Sequence, residues 1–220
     1  MDQWVRLKPV APVTVEMHEV VPDFLFLGSA RAAVAVERLR ERSITHVLTV
    51  TDILPRRTRE AFGPAHHLHI NVDDLPGEAL STHFARAIAF IGSREGGGRI
   101  LVHCTAGVSR SASVVMAYLM HAHGLTLKQA FIHVKQRRTS VRPNGGFMEQ
   151  LDAFERELHG SSSITPLELI NITTVYRKEW LPAITGREPE PLPAPTTRSA
   201  PPTTAAATNT EEEEAATSQG

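Results

Sequence analysis

The chain has 220 residues, 41% apolar and 21% charged, and its 23 lysines and arginines against 24 acidic residues leave a formal net charge of −1. Such a composition is ordinary for a globular protein and suits one domain with additional segments; near-neutrality gives no electrostatic case for a nucleic-acid or membrane partner. No apolar run approaches membrane-spanning length, and a single cysteine, Cys104, excludes an internal disulfide and suits a reducing compartment, the cytoplasm or the nucleus.

In chain order, residues 1–16 read as an N-terminal arm, and Met1-Asp2-Gln3-Trp4 lacks the pattern of a signal peptide. Residues 15–21 and 24–27 are predicted strands around Pro22-Asp23. Helical spacing of Ala33, Val36 and Leu39 predicts one helix over 30–41. The β-rich run 44–50 predicts a central strand and 68–72 another. Ser81 or Thr82 is expected to cap a helix running to Ile91, which Gly96-Gly97-Gly98 ends. A strand over 99–103 is followed by a buried helix over 111–123. Thr126 opens the next helix with Gln129 as its reciprocal cap, and Asn144 opens a last one that ends near His159-Gly160. Strands alternating with helices imply an α/β fold: a single domain with a central, mostly parallel or mixed sheet flanked by helices. A ligand should sit at the carboxyl ends of the strands.

The segment between the 99–103 strand and the 111–123 helix reads His103-Cys104-Thr105-Ala106-Gly107-Val108-Ser109-Arg110-Ser111. A strand, a tight loop and a helix start together form an anion cradle, because the loop N–H groups and the helix N-terminus converge on one point. Thr105, Ala106, Gly107, Val108, Ser109 and Arg110 would supply the amides. Arg110 adds a planar fork that matches phosphate oxygens. Cys104 lies in the same positive field, which should lower its pKa from about 8.5 into the range of roughly 3.5–7.5. The Ser111 hydroxyl can donate to the sulfur, cap the helix, or do both. A phosphate ester also needs a proton for its departing oxygen. The pair Asp73-Asp74, before Leu75-Pro76 and after a predicted strand, offers a carboxyl group at the same sheet edge.

His-Cys-x-x-Gly-x-x-Arg-Ser resembles the signature of the cysteine-dependent protein tyrosine phosphatases, and His-Cys-Thr-Ala-Gly-Val-Ser-Arg-Ser-Ala resembles their dual-specificity branch. The resemblance extends over residues 17–160 through Phe24-Leu25-Phe26-Leu27-Gly28-Ser29, Ile44-Thr45-His46-Val47-Leu48, Ala117-Tyr118-Leu119-Met120, Arg142-Pro143-Asn144-Gly145-Gly146-Phe147 and Gln150-Leu151. It implies a catalytic domain over those residues and hydrolysis of phosphotyrosine and phosphoserine or phosphothreonine in phosphoproteins. The implied route is a cysteinyl-phosphate on Cys104, without cofactor or metal. It selects Asp74, two residues before proline, as the acid. It makes His103 a residue that orders the loop and Asn144 a support of the loop from outside, beside a helix-capping reading of Asn144 that stands equally. The loop positions Thr105, Ala106, Val108 and Ser109 are not basic, which favours a phosphoprotein over an inositol phospholipid. The alternatives are a phosphatase of a non-protein phosphate (an RNA 5′-end, a phosphoinositide or a phosphoglucan) and an idle phosphoprotein-binding module. The sequence carries no signal of oligomeric state.

Other segments carry weaker signals. His66, His67 and His69 invite comparison with a metal site, although strand alternation explains them. Arg137, Arg138 and Arg142 form a basic group that reads as a solvated face or as a contact for acidic partners. Residues 161–185 are too apolar for a linker and are expected to pack on the domain; Thr165-Pro166-Leu167-Glu168 has the form of a capping box. A short stretch, Val175-Tyr176-Arg177-Lys178-Glu179, resembles an extension in a group of small atypical dual-specificity phosphatases. Residues 186–220, rich in Pro, Thr, Ala and Glu, are expected to form a disordered tail.

Overall fold

The computed structural model describes residues 17–94, 97–181 and 191–196. Strands β1 (Met17–Val21), β2 (Leu25–Ser29), β3 (Ile44–Val50), β4 (His67–Ile70) and β5 (Arg99–Cys104) form one sheet in the order β1-β2-β5-β3-β4. β1 and β2 pair as an antiparallel hairpin; β2–β5, β5–β3 and β3–β4 are parallel. The result is the mixed, helix-flanked sheet that the alternation of elements implied.

Central strands buried on both faces read as continuous apolar runs, and Ile100-Leu101-Val102 in β5 is such a run. Ile100 and Val102 join Leu25, Leu27, Leu48 and Val50 in the larger core, beneath α4 (Phe84–Gly92), α5 (Arg110–His123), α6 (Leu127–Arg137) and α7 (Gly145–His159). Leu101 joins Phe26 and Val47 in a smaller core on the opposite face, with Ala32, Ala33 and Leu39 from α1 (Ala30–Val34) and α2 (Val36–Glu41). Every residue of α5 is buried. The site loop therefore joins the central strand to the central helix.

Several sequence expectations shift. The single helix over 30–41 breaks at Ala35 (φ −84°, ψ 63°), giving α1 and α2. α3 (Arg56–His66) had no apolar stripe to betray it. Its turns are held by Thr58, whose buried hydroxyl donates to Ala33 O at 2.8 Å, and by the Arg56–Glu60 pair. A 3₁₀ turn, Leu80–His83, precedes α4 in place of a Ser81 or Thr82 cap; the Ser81 N–H instead donates to Gln150 Oε1 at 2.7 Å. The Thr126–Gln129 capping box is present in both directions.

Beyond α7, a second capping box between Thr165 and Glu168 opens α8 (Pro166–Ile170), followed by α9 (Ile172–Val175) and a π-helical turn, Tyr176–Trp180. Ile164, Ile172, Val175, Tyr176 and Trp180 are buried in the larger core. Phe131 of α6 meets the Tyr176 and Trp180 rings edge-on, and Lys128 Nζ lies 4.6 Å from the Trp180 ring centroid. Leu167 and Ile170 are 72% and 80% exposed and Leu181 39%, so the extension packs through one face only.

The tail reading needs correction at residues 191–196. Thr196 N–H donates to Ala122 O at 2.6 Å, the Thr196 hydroxyl also reaches Ala122 O and His121 O, and His123 Nδ1 lies 2.8 Å from Pro193 O. Leu192 packs against the core. The last turn of any helix leaves carbonyls without partners, and this segment satisfies two of them at the end of α5, a reward that composition alone does not reveal. The arm at 1–16, residues 182–190, which end the expected extension and begin the expected tail, and the tail beyond 196 lie outside the described residues.

Ending the chain at Leu181 removes those hydrogen bonds, each worth about 0.5–1.5 kcal/mol net, and should lower the melting temperature by a few degrees. Ending it at Ser163 strips Ile164, Ile172, Val175, Tyr176 and Trp180 from the core, at about 1.5–3 kcal/mol for each large apolar side chain. That chain should melt far lower or express insolubly. Equal melting temperatures for the two truncations in a thermal scan would refute this account of the extension.

Candidate active site

The loop from Cys104 to Arg110 is shaped by what holds its carbonyls. Thr105 O accepts from Ala30 N–H at 3.1 Å, Ala106 O from an Arg138 terminal nitrogen at 3.0 Å, Gly107 O from Arg138 Nε at 2.8 Å, and Val108 O from Arg142 N–H at 2.9 Å. Because each peptide is planar and trans, tying a carbonyl outward turns the following N–H inward. Gly107 N–H accordingly points at Cys104 Sγ, 3.2 Å away. Gly107 has φ +69°, and a Cβ there would lie 2.4 Å from Gly28 O, so no larger residue fits.

Cys104 is 1% exposed. Burial by itself would raise its pKa. The Ser111 hydroxyl, 3.2 Å from Sγ, and the N–H groups of Ser111, Val108 and Gly107 outweigh burial and hold the thiol below its ordinary value. His103, wholly buried, lies with Nδ1 3.2 Å from Cys104 O and Nε2 2.7 Å from Thr49 Oγ1; desolvation lowers its pKa to about 4 and keeps the ring neutral.

Arg110 is anchored at its tip. One terminal nitrogen donates to Val72 O at 3.0 Å and reaches Thr51 Oγ1 at 3.3 Å and Asp52 Oδ1 at 3.4 Å; the other donates to Thr105 Oγ1 at 2.9 Å. Its Nε is buried without a hydrogen-bond partner, 3.8 Å from Asp74 Oδ2. A buried donor left without a partner is costly, and an anion oxygen bound beside it would satisfy it.

Asp74 is oriented by the loop and by α7. Its Oδ1 accepts from Ser109 Oγ at 2.6 Å and from Asn144 Nδ2 at 2.9 Å, which leaves Oδ2 toward Arg110. Asn144 also caps α7, since its Oδ1 accepts from Phe147 N–H, and its own N–H donates to Ser109 Oγ. Asn144 thus caps α7 and contacts both Asp74 and Ser109. Asp73, the neighbour of Asp74, is solvent-exposed.

Cys104, Arg110, Asp74, Ser111, His103, Thr105, Gly107, Ser109 and Asn144 thus converge, with Ala106 and Val108 completing the loop. Sequence reasoning overlooked Arg138, Thr51, Asp52 and Thr49. Arg138, read within a solvated or partner-facing basic group, is buried and bonded to loop carbonyls. Its position at the end of α6 was the one available signal, and nothing in the pattern separated it from Arg137 beside it. The histidine triplet does not converge: His66 pairs with His46, His67 with Thr49 and His69 with Thr51 O. Among the described residues no group of three His, Cys, Asp or Glu is arranged to hold a metal.

A strand-loop-helix cup around a buried low-pKa thiol, an arginine and an aspartate defines a class of cysteine-dependent phosphate chemistry. Residues 25–157 match the family model described as the dual specificity phosphatase catalytic domain, and the chain belongs to that family. It is 49% identical over 144 residues to human dual specificity protein phosphatase 5, covering 64% of this chain and 36% of that protein. It superposes on the crystal structure of human DUSP28 with a TM-score of 0.60 at 38% identity, covering 68% of this chain and 99% of that one. The structure of a human tyrosine phosphatase-like serine/threonine/tyrosine-interacting protein matches at TM-score 0.59 and 35% identity, over 66% and 98% of the two chains. The chain spans about a third of the length of the first curated relatives it matches.

One residue tests how the loop that carries Asp74 is held. A Cβ on Gly146 would lie 1.9 Å from Pro76 O and 2.6 Å from Pro76 C, both backbone atoms of the loop that carries Asp74. Gly146→Ala must move that loop. A displacement of about 1 Å can cost on the order of 10²-fold in rate, so turnover of alkyl phosphates, which need the acid, should fall about that much. Cys104 alkylation should be unchanged. Full turnover of alkyl phosphates by this variant would show that the Asp74 loop is not fixed by α7.

Proposed function

We propose that this chain is a protein phosphatase that hydrolyses phosphotyrosine and phosphoserine or phosphothreonine in phosphoproteins. The observation that carries the reading is the shared cup: a thiol held low by inward N–H groups, the free Arg110 Nε, and Asp74 Oδ2 facing it at 3.8 Å. The phosphoryl oxygens dock on the loop N–H groups and on Arg110. The Cys104 thiolate attacks phosphorus in line; the S–P bond forms as the bond to the leaving oxygen breaks, and Asp74 delivers its proton to that oxygen. Oδ1 already accepts two hydrogen bonds, so the proton rides on Oδ2. Water then attacks the cysteinyl-phosphate, Asp74 takes its proton, and Ser111 O–H stabilises the departing sulfur.

The chemistry needs no metal or cofactor. Thr105, Ala106, Val108 and Ser109 add no positive charge to the cup, which favours phosphoproteins over more highly charged inositides. A single buried thiol suits the reducing cytoplasm or nucleus, and no helix among the described residues is long and apolar enough to cross a membrane. A second reading is binding without turnover, since one similar fold bears the description phosphatase-like interacting protein. Cys104, Arg110 and Asp74 are all present here, which supports turnover.

Two measurements test the mechanism. Cys104→Ser should abolish hydrolysis of a small aryl phosphate while anion binding persists, because the hydroxyl has no accessible anion at neutral pH; substantial residual turnover would sink the covalent route. Asp74→Asn should slow alkyl phosphates by about 10²–10⁴-fold and activated aryl phosphates much less, whereas Asp73→Asn should do little. The reverse pattern would assign the acid to Asp73.

A further inference from the structure

His67, one of the histidines left over from the metal question, lies on the edge strand β4. β4 pairs with β3, and Thr49 of β3 pairs directly with His103 of β5. Thr49 Oγ1 is 2.7 Å from His67 Nε2 and 2.7 Å from His103 Nε2, and His103 Nδ1 is 3.2 Å from Cys104 O. A polar path therefore crosses three neighbouring strands from the sheet edge to the residue that carries the thiol.

The proton order along this path follows from what each group can do. Cys104 O only accepts, so His103 Nδ1 carries the hydrogen. A neutral imidazole then has a bare Nε2 that must accept, and Thr49 is the donor. A hydroxyl has one hydrogen, so Thr49 can only accept from its other partner, and His67 Nε2 must be the protonated nitrogen. From this geometry we infer that His67 is a positioning residue: through Thr49 it fixes the tautomer of His103 that keeps an N–H on the Cys104 carbonyl. If His103 took the other tautomer, the bare Nδ1 would face that carbonyl, whose negative end would then act unshielded on the nearby thiolate.

The path requires both rings to be neutral. Burial chiefly, with the nearby His69 and Arg59, lowers His67 to about 4. Burial likewise lowers His103 to about 4, against the hydrogen bond to Cys104 O that raises it and with smaller help from His67 and His69. The order is thus intact at neutral pH.

The inference rests on Cys104 being the nucleophile, and its tests need no phosphate substrate. Loss of turnover with normal tautomers and normal thiol reactivity would therefore count against the phosphatase reading instead. Long-range proton–nitrogen NMR of the full chain at neutral pH should find His67 protonated on Nε2 and His103 on Nδ1; either opposite tautomer overturns the inference, even if no variant folds. Iodoacetamide alkylation of the chain's single cysteine, followed from about pH 5 to 8, reads the thiolate. His67→Leu, which has no donor, should alkylate about threefold more slowly below neutral pH and show a mixed His103 tautomer. His67→Gln, whose amide can donate to Thr49, should restore both. An unchanged His67→Leu, or a His67→Gln as impaired as the leucine variant, overturns the inference.

Discussion

The structure depends on one constraint, which is that the carbonyls of the 105–108 loop face outward. A thiolate at a site only 1% exposed would carry a desolvation cost of several kcal/mol if left alone. Inward N–H groups and Ser111 offset it, and they point inward only because Ala30, Arg138 and Arg142 hold the carbonyls from behind. Those anchors come from α1, the end of α6 and the segment before α7, so helices on both faces of the sheet converge on one loop. The complete burial of α5 belongs to the same arrangement. Its first residue, Arg110, is held by Thr51 just beyond β3 and by Val72 beyond β4, and the helix it opens is buried along its whole length.

The parts of this arrangement that were legible in the sequence are the local ones. β5 is a continuous apolar run, Gly107 sits where only glycine fits, and the caps at Thr126, Asn144 and Thr165 declare helix starts within a few residues. Local pattern offered the pair Asp73-Asp74 alike, and only the family resemblance, an aspartate two residues before a proline, chose Asp74 between them. Arg138 was not, since its partners lie about thirty residues away and an arginine at a helix end looks the same whether it meets water or a buried carbonyl. α3 was missed because its exposed turns carry charge in place of an apolar stripe. The Ala35 break was hidden because alanine and valine fit a helix on either side of it. Residues 191–196 were misjudged because composition measures the apolar surface a segment can bury, while this one is held by carbonyls that α5 leaves open.

α7 carries a second kind of information. Asn144, Gly146 and Gln150 look like the ordinary opening of an amphipathic helix, yet each also meets the loop that carries Asp74. Asn144 bonds the Asp74 carboxylate, Gly146 gives Pro76 room to approach, and Gln150 donates to Glu78 O and accepts from Ser81 N–H. The carboxylate is thus oriented from a rigid element, whereas a free loop would have to order itself at each encounter. Cys104 and Asp74 are set by separate scaffolds, β5–α5 and α7, and Ser109 bonds to both Asp74 and Asn144.

The smaller face of the sheet changes character along its strands. Near their starts it is apolar, with Phe26, Val47 and Leu101; toward the carboxyl ends it carries Thr49, Thr51, His103 and the β4 histidines. Buried polar groups are tolerable only when each has a partner, and here Thr49 serves two rings while His69 Nε2 lies 2.7 Å from Thr51 O. This mutual satisfaction is also why three histidines so close in sequence form no metal cluster among the described residues: the ring nitrogens that could have turned toward one ion are committed to separate partners. The polar end of the face lies beside the Cys104–Arg110 loop, where β3, β4 and β5 end. A wholly apolar face would take from the Cys104 carbonyl the His103 ring nitrogen that lies 3.2 Å from it.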